Sequence, residues 1–249
     1  MDNAEQKPRR SRNGDALAQA CKREGCPICL VTLERMERVM DHWQYEVATE
    51  AENRDLLVYS KGFCSRHTWQ LAQMPEIPAP FALAIVYRSI LPDLLKDVER
   101  DLARIKTNKT ADHVPFWRKL LPRKQSRSEQ DIDPPFVQHC PFCSRQKEIE
   151  RELLQELLAV LPNKEFQAKL STATGLCLTH FTRATHAAEN DRQRAILFAN
   201  QYASLQRNMA ELEEMVRKHD YRFLHEPRGP EMTAWRRAAQ LLAGNRGIR

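Results

Sequence analysis

Apolar residues step along this chain at intervals of three and four and almost nowhere alternate. Leu30, Leu33, Met36, Met40, Trp43 and Val47 mark one long amphipathic helix, because side chains at that spacing share a helix face. A second helix is expected over 51–60, a third opens at Cys64 and ends before Met74-Pro75, and a fourth runs from Phe81 to about Ile105. Leu91, Leu94, Val98, Leu102 and Ile105 line one face of that fourth helix. Pro92 should kink or split it, since proline lacks the helical donor and crowds the preceding turn. Residues 140–218 repeat the order, with Ile149, Leu153, Leu157 and Val160, then Phe166 and Leu170, then a helix from Cys177 to Ala188. The last helix of the repeat carries Phe198, Tyr202, Leu205, Met209, Leu212 and Val216. Its seam predicts core packing between helices, with a partner-binding coiled coil of about three heptads as the secondary reading.

This pattern predicts an all-α fold made of two pseudo-repeated helical halves. The first half spans 15–106 and the second 140–218. Around them lie a basic, disordered tail over 1–14, a linker over 107–139 with four prolines, and a carboxyl-terminal turn segment and helix over 219–249. In the final helix Trp235, Ala238, Ala239 and Leu242 are the expected buried face, closed by Gly244. Composition agrees, for only seven of 249 residues are glycine while Leu, Ala, Glu, Gln, Lys and Arg, which lose least on entering a helix, abound.

Charge narrows the partners. Lys106 to Arg127 holds seven basic residues against the single acid Asp112, so this stretch alone accounts for the formal net charge of +6. A solvated basic linker is the simpler account, and nucleic-acid binding the weaker one, since no groove-reading module accompanies it. The longest strongly apolar run, Phe81 to Val86, is six residues, so neither a membrane span nor a signal peptide is expected. A cytoplasmic location follows as the expectation, and there C-x-x-C spacing points to metal or redox chemistry rather than structural disulfides.

The chemistry lies in two motifs that each occur twice. Cys26-Pro27-Ile28-Cys29 is followed by Cys64-Ser65-Arg66-His67, and Cys140-Pro141-Phe142-Cys143 by Cys177-Leu178-Thr179-His180. The leading cysteines are 114 residues apart, and the later cysteines and the histidines are both 113 apart. In Cys-Pro-x-Cys the proline fixes one backbone angle and holds the preceding residue extended, which turns both sulfurs toward one point. In Cys-x-x-His the three-residue step sets both ligands on one helix face. Taken in sequence, the halves give two Cys3His sets, Cys26, Cys29, Cys64 and His67, then Cys140, Cys143, Cys177 and His180. Three thiolates and an imidazole complete a zinc tetrahedron with no position open for water, the composition of a structural site. An iron–sulfur cluster or a thiol redox pair is the alternative. Cys21 stands outside both sets and reads as an ordinary small buried residue.

These motifs, with the later Asp220-Tyr221-Arg222-Phe223, His225-Glu226-Pro227 and Ala234-Trp235-Arg236-Arg237-Ala238, resemble those of an uncharacterised bacterial protein family with paired C-P-x-C and G-F-C-x-x-H elements. The resemblance spans residues 20–244 and implies no established activity. Gly175-Leu176-Cys177 departs from the second G-F-C and leaves the ligands intact.

The functional expectation is an intracellular protein with two structural zinc ions that serves as a binding or scaffold module for another protein or a small ligand. Electron transfer through iron–sulfur clusters or thiol redox chemistry is the alternative, and catalysis by His219, Asp220, His225, Glu226 and Glu231, which converge on one turn-rich segment, is the weaker reading against their use as caps and ion pairs. Asp220, Arg222, His225, Glu226 and Arg236 are candidate recognition residues, because they crowd a turn-rich segment that the duplication does not explain. The competing account is that they cap the last helix.

Overall fold

Proline and small polar caps set where these helices begin. Pro27 and Pro141 each occupy the first helical position, where the missing N–H would have no intrahelical partner anyway. Asn163 and Asn190 cap later helices by accepting from the backbone N–H groups of Glu165 and Gln193. The structure, a computed structural model, describes residues 11–49, 57, 62–74, 78–106, 140–223 and 225–248. Among these there are nine α-helices and no strand, so the fold is all-α. They are α1 (Arg12–Ala20), α2 (Pro27–Thr49), α3 (Ser65–Ala72), α4 (Pro78–Lys106), α5 (Pro141–Val160), α6 (Lys164–Thr172), α7 (Leu178–Ala187), α8 (Asp191–Arg217) and α9 (Ala234–Ala243). Two 3-10 turns, Tyr221–Phe223 and Pro230–Thr233, lie between α8 and α9.

Neither compact unit is one of the consecutive halves expected from the repeat. One unit joins residues up to Arg35 with Lys147–Arg249, and the other is Met36–Gln146. The first unit buries Leu17, Ile28, Val31, Leu153, Leu157 and Leu197. In it α8 packs against α6, α7 and α9, and α1 against α6. The second unit packs α3 on α4 and buries Met36, Met40, Leu71, Val86 and Ile90.

Three sequence expectations change. The α8 seam is not core: Phe198, Tyr202, Met209 and Val216 are all more than half exposed, and the buried side is Gln193, Leu197, Gln201, Ser204 and Asn208. Polar residues can face inward here because each bonds to backbone, Gln193 to Leu158, Gln201 to Leu176, Ser204 to Thr174 and Asn208 to Ala234. In α9 the buried residues are Ala234 and Leu241, while Trp235 and Leu242 are exposed. Pro92 does not split α4, which runs through it as one helix. Its side chain is exposed, so water can satisfy the carbonyl that the missing N–H leaves. Leu91, Val98 and Leu102 on that helix are likewise about half exposed. The expected helix over 51–60, apart from buried helical Leu57, and the linker with its basic run over 107–139 lie outside the described residues.

Candidate metal centres

Local chain geometry brings each ligand pair to a point. Cys64 and Cys177 are the N-caps of α3 and α7, both extended, with φ −64°, ψ 157° and φ −67°, ψ 157°. Gly62 and Gly175, two residues before them, take φ +98° and +105°, a turn that side chains rarely allow. His67 and His180 follow one turn into their helices and are wholly buried.

The ligands combine across the sequence repeat, not within it. Cys26, Cys29, Cys177 and His180 form one group, and Cys64, His67, Cys140 and Cys143 the other, with all ligand atoms of a group within 4.8 Å of one another. The eight expected residues therefore sort into two Cys3His groups, but the partition taken from sequence order is corrected. Each C-x-x-C helix supplies its sulfurs to the C-x-x-H helix of the other half. Both partitions use the same motifs, and the core decides: the start of α2, with Ile28 and Val31, is buried in the unit that contains α7.

In the first centre His180 Nδ1 lies 3.6 Å from Cys26 Sγ, 3.3 Å from Cys29 Sγ and 3.2 Å from Cys177 Sγ. Cys29 and Cys177 sulfurs are 3.7 Å apart. In the second centre His67 Nδ1 stands 3.2 Å from Cys64 Sγ, 3.5 Å from Cys140 Sγ and 3.4 Å from Cys143 Sγ. Cys64 and Cys143 sulfurs are 3.5 Å apart. Both rings thus turn Nδ1 to the sulfurs and Nε2 outward.

Residues without a ligand atom hold these rings and loops, and motif spacing gave no sign of them. His67 Nε2 donates to Gln146 Oε1 at 3.1 Å. His180 Nε2 faces the Glu150 carboxylate at 3.9 Å, and Arg183 donates to that carboxylate at 2.5 Å. Such partners fix ring orientation and tautomer in metal sites. The loop before Cys177 is fastened to α8: Gln201 accepts from the Leu176 N–H at 3.1 Å and donates to its carbonyl at 3.0 Å. Ser204 donates to the Thr174 carbonyl, and Arg207 to that of Ala173 at 2.9 Å. The carboxyl end closes the first centre, with Asn245 Oδ1 accepting from the Cys26 N–H at 3.2 Å. Gly244, at φ +81°, packs so close that a Cβ there would stand 3.5 Å from Cys29 Sγ and 3.6 Å from Cys177 Sγ. Around the second centre Phe63 stacks on Phe142 at 4.6 Å, and Trp43 meets both rings edge-on.

The sulfurs hold charge unequally. Cys177 is held well below the usual thiol range by hydrogen bonds from Cys26 and Cys29, and then by His180. Hydrogen bonds from Cys140 and His67 bring Cys143 down to about 3. Burial pushes Cys26 up to about 12, and the contacts with Cys177 and Cys26 raise Cys29. Burial would lower His180, but its bonds to Cys177, Cys29 and Glu150 outweigh that and carry it up to about 11. A pocket of three sulfurs that admits one negative charge readily and the others reluctantly could be completed by a cation. Cys21, in neither group, is buried and pushed up to about 11 by that burial, which fits a small apolar residue.

The candidate recognition residues have near partners. Arg222 donates to Asp220 at 2.7 Å, Glu226 accepts from Arg217 at 3.0 Å, and the Arg236 guanidinium lies 5.3 Å from the Trp235 ring centre. Lys218 meets buried Glu231 at 2.9 Å, and His225 is exposed. The first two pairs and Lys218–Glu231 join or follow the last turn of α8, the geometry of a helix end being tied down.

Fold and site define a helical protein with two buried Cys3His groups that could each hold a metal ion. Over residues 14–247 the chain matches the model of a family of unknown function (DUF6062), and it belongs to that family. No curated protein and no solved structure matches it. Among the described residues no helix is long and apolar enough to cross a membrane.

Proposed function

We propose that the protein carries two structural zinc ions, one in each unit, and acts as a helical binding module whose partner is another protein. The observation that carries the metal assignment is the spacing of the ligand atoms. Zn–S bonds of about 2.3 Å and Zn–N bonds of about 2.0–2.1 Å in a tetrahedron put sulfurs about 3.8 Å apart and sulfur and nitrogen about 3.5 Å apart. The distances here are 3.5–3.7 Å and 3.2–3.6 Å. An iron–sulfur cluster distributes its protein ligands over separate irons, which holds some of them farther apart than ligands of a single ion. Four protein ligands fill the tetrahedron and leave no place for substrate, which favours a structural role over catalysis. The seven cysteines form no disulfide, as suits a reducing cytoplasm.

A protein partner is supported by the apolar surface. Apolar side chains about half exposed or more run along both α4 and α8, and contiguous patches of that kind mark interaction sites. Elemental analysis of the purified chain tests the metal: two zinc per chain and a colourless solution are expected, and stoichiometric iron with acid-labile sulfide overturns the assignment.

A further inference from the structure

Helix α8 presents Phe198, Tyr202, Leu205, Met209 and Val216 at 54%, 65%, 47%, 58% and 73% exposure, with Leu212 half-buried between them. The steps of four, three, four, three and four residues are those of a coiled-coil seam, and the stripe extends over about 27 Å at 1.5 Å per residue. The helix cannot roll this stripe inward. Its other face is fastened by Gln201 to both polar groups of Leu176, by Ser204 to Thr174 and by Asn208 to the Ala234 carbonyl at 3.1 Å. Phe181 buttresses Phe198 edge-on at 5.1 Å, so the seam is also held rigid at its first residue.

We infer that this face is where two copies of the chain associate, α8 lying antiparallel to α8 about a twofold axis. The inference rests on the reading of the protein as a binding module and names its partner. Orientation follows from volume and charge. Antiparallel pairing sets Phe198 of one copy against Val216 of the other, Tyr202 against Leu212 and Leu205 against Met209, so every layer joins a larger and a smaller or similar side chain. Parallel pairing stacks Phe198 on itself and Val216 on itself. It also sets the acidic run Glu211, Glu213 and Glu214 beside its own copy, whereas antiparallel pairing sets it beside uncharged Asn200–Ala203. Two half-exposed aromatic side chains, of the 150–250 Å² that such rings bury, and four aliphatic ones give about 500 Å² per copy. The pair then buries about 1,000 Å², the level a specific interface reaches. An isologous contact of this kind closes on itself and stops at two copies.

The test uses the full zinc-loaded chain in sedimentation equilibrium and light scattering. The mass expected is twice the 29.0 kDa of one chain, and Tyr202→Glu with Met209→Glu returns it to one chain with zinc content and helicity unchanged. Benzoylphenylalanine placed at Phe198 is expected to crosslink to the peptide holding Val216 of the other copy. A monomeric wild-type chain, a dimer that survives the double substitution, or crosslinks from position 198 to itself or to the exposed stripe of α4 each overturn the inference. Zinc content is read in the same samples. Two zinc ions in a monomer sink only the self-association, while iron or a metal-free folded chain sinks the metal assignment whatever the mass.

Discussion

Cys29 Sγ and Cys177 Sγ stand 3.7 Å apart although 148 residues separate them in the chain. That contact determines which ligands are lost together. Cys29→Ser and Cys177→Ser should each remove one zinc ion of two, and the double variant should still retain one. Cys29→Ser with Cys64→Ser should retain none, because those residues serve different centres. Pairing in sequence order predicts the reverse for the two double variants, so metal-to-protein ratios by mass spectrometry decide between them.

The same repeat that made the ligands legible concealed their partition. Eight residues were visible because the motifs recur at offsets of 113 and 114, yet that regularity makes the two C-x-x-C pairs interchangeable as partners of either C-x-x-H. Helix content and most helix limits were legible from periodicity and caps. The orientation of α8 was not, because hydrophobicity assigned Phe198 and Tyr202 to the core and carried no sign that Gln201 and Ser204 would satisfy the backbone of a ligand loop and Asn208 bond to the Ala234 carbonyl at the start of α9. Gln146, Glu150 and Asn245 escaped for the same reason, since single polar residues outside a motif show their partners only in three dimensions.

Gln146 and Glu150 offer a finer test of the centres. Gln146→Leu removes the acceptor for His67 Nε2, and Glu150→Leu the carboxylate facing His180 Nε2 and held by Arg183. Losing such partners lowers metal affinity by about 10–100-fold. Chelator competition should show one weakened site in each variant and an unchanged second site.

Zinc affinity should rise with pH. In the first centre Cys26, pushed up to about 12, and Cys29, also raised, keep their protons at neutral pH, and His180, up to about 11, is an imidazolium. Ligation requires thiolates and neutral imidazole, so loading this centre at pH 7 should release about three protons. Acid then favours the unloaded form and alkali the loaded one. Zinc titration of the chelator-stripped chain in weak buffer, with pH recorded, measures the count, and release of fewer than one proton would contradict this ligand set.

Gln201→Met separates the scaffold from the ligands. The amide of Gln201 takes both the N–H and the C=O of Leu176, the residue before Cys177, and the side chain is only 7% exposed. Methionine fills similar volume but bonds to neither group, and each buried polar group left without a partner costs about 1–3 kcal/mol. The melting temperature should therefore drop by several degrees, since about 1 kcal/mol moves a domain of this class by a few degrees. The Leu176 peptide can then shift, and with it the N-cap that presents the Cys177 sulfur. Zinc should leave the first centre faster under chelator, while the second, whose ligands Cys64, His67, Cys140 and Cys143 all lie in the other unit, should release at the wild-type rate. Equal acceleration at both centres would mean that Gln201 supports the fold as a whole and not the Cys177 loop.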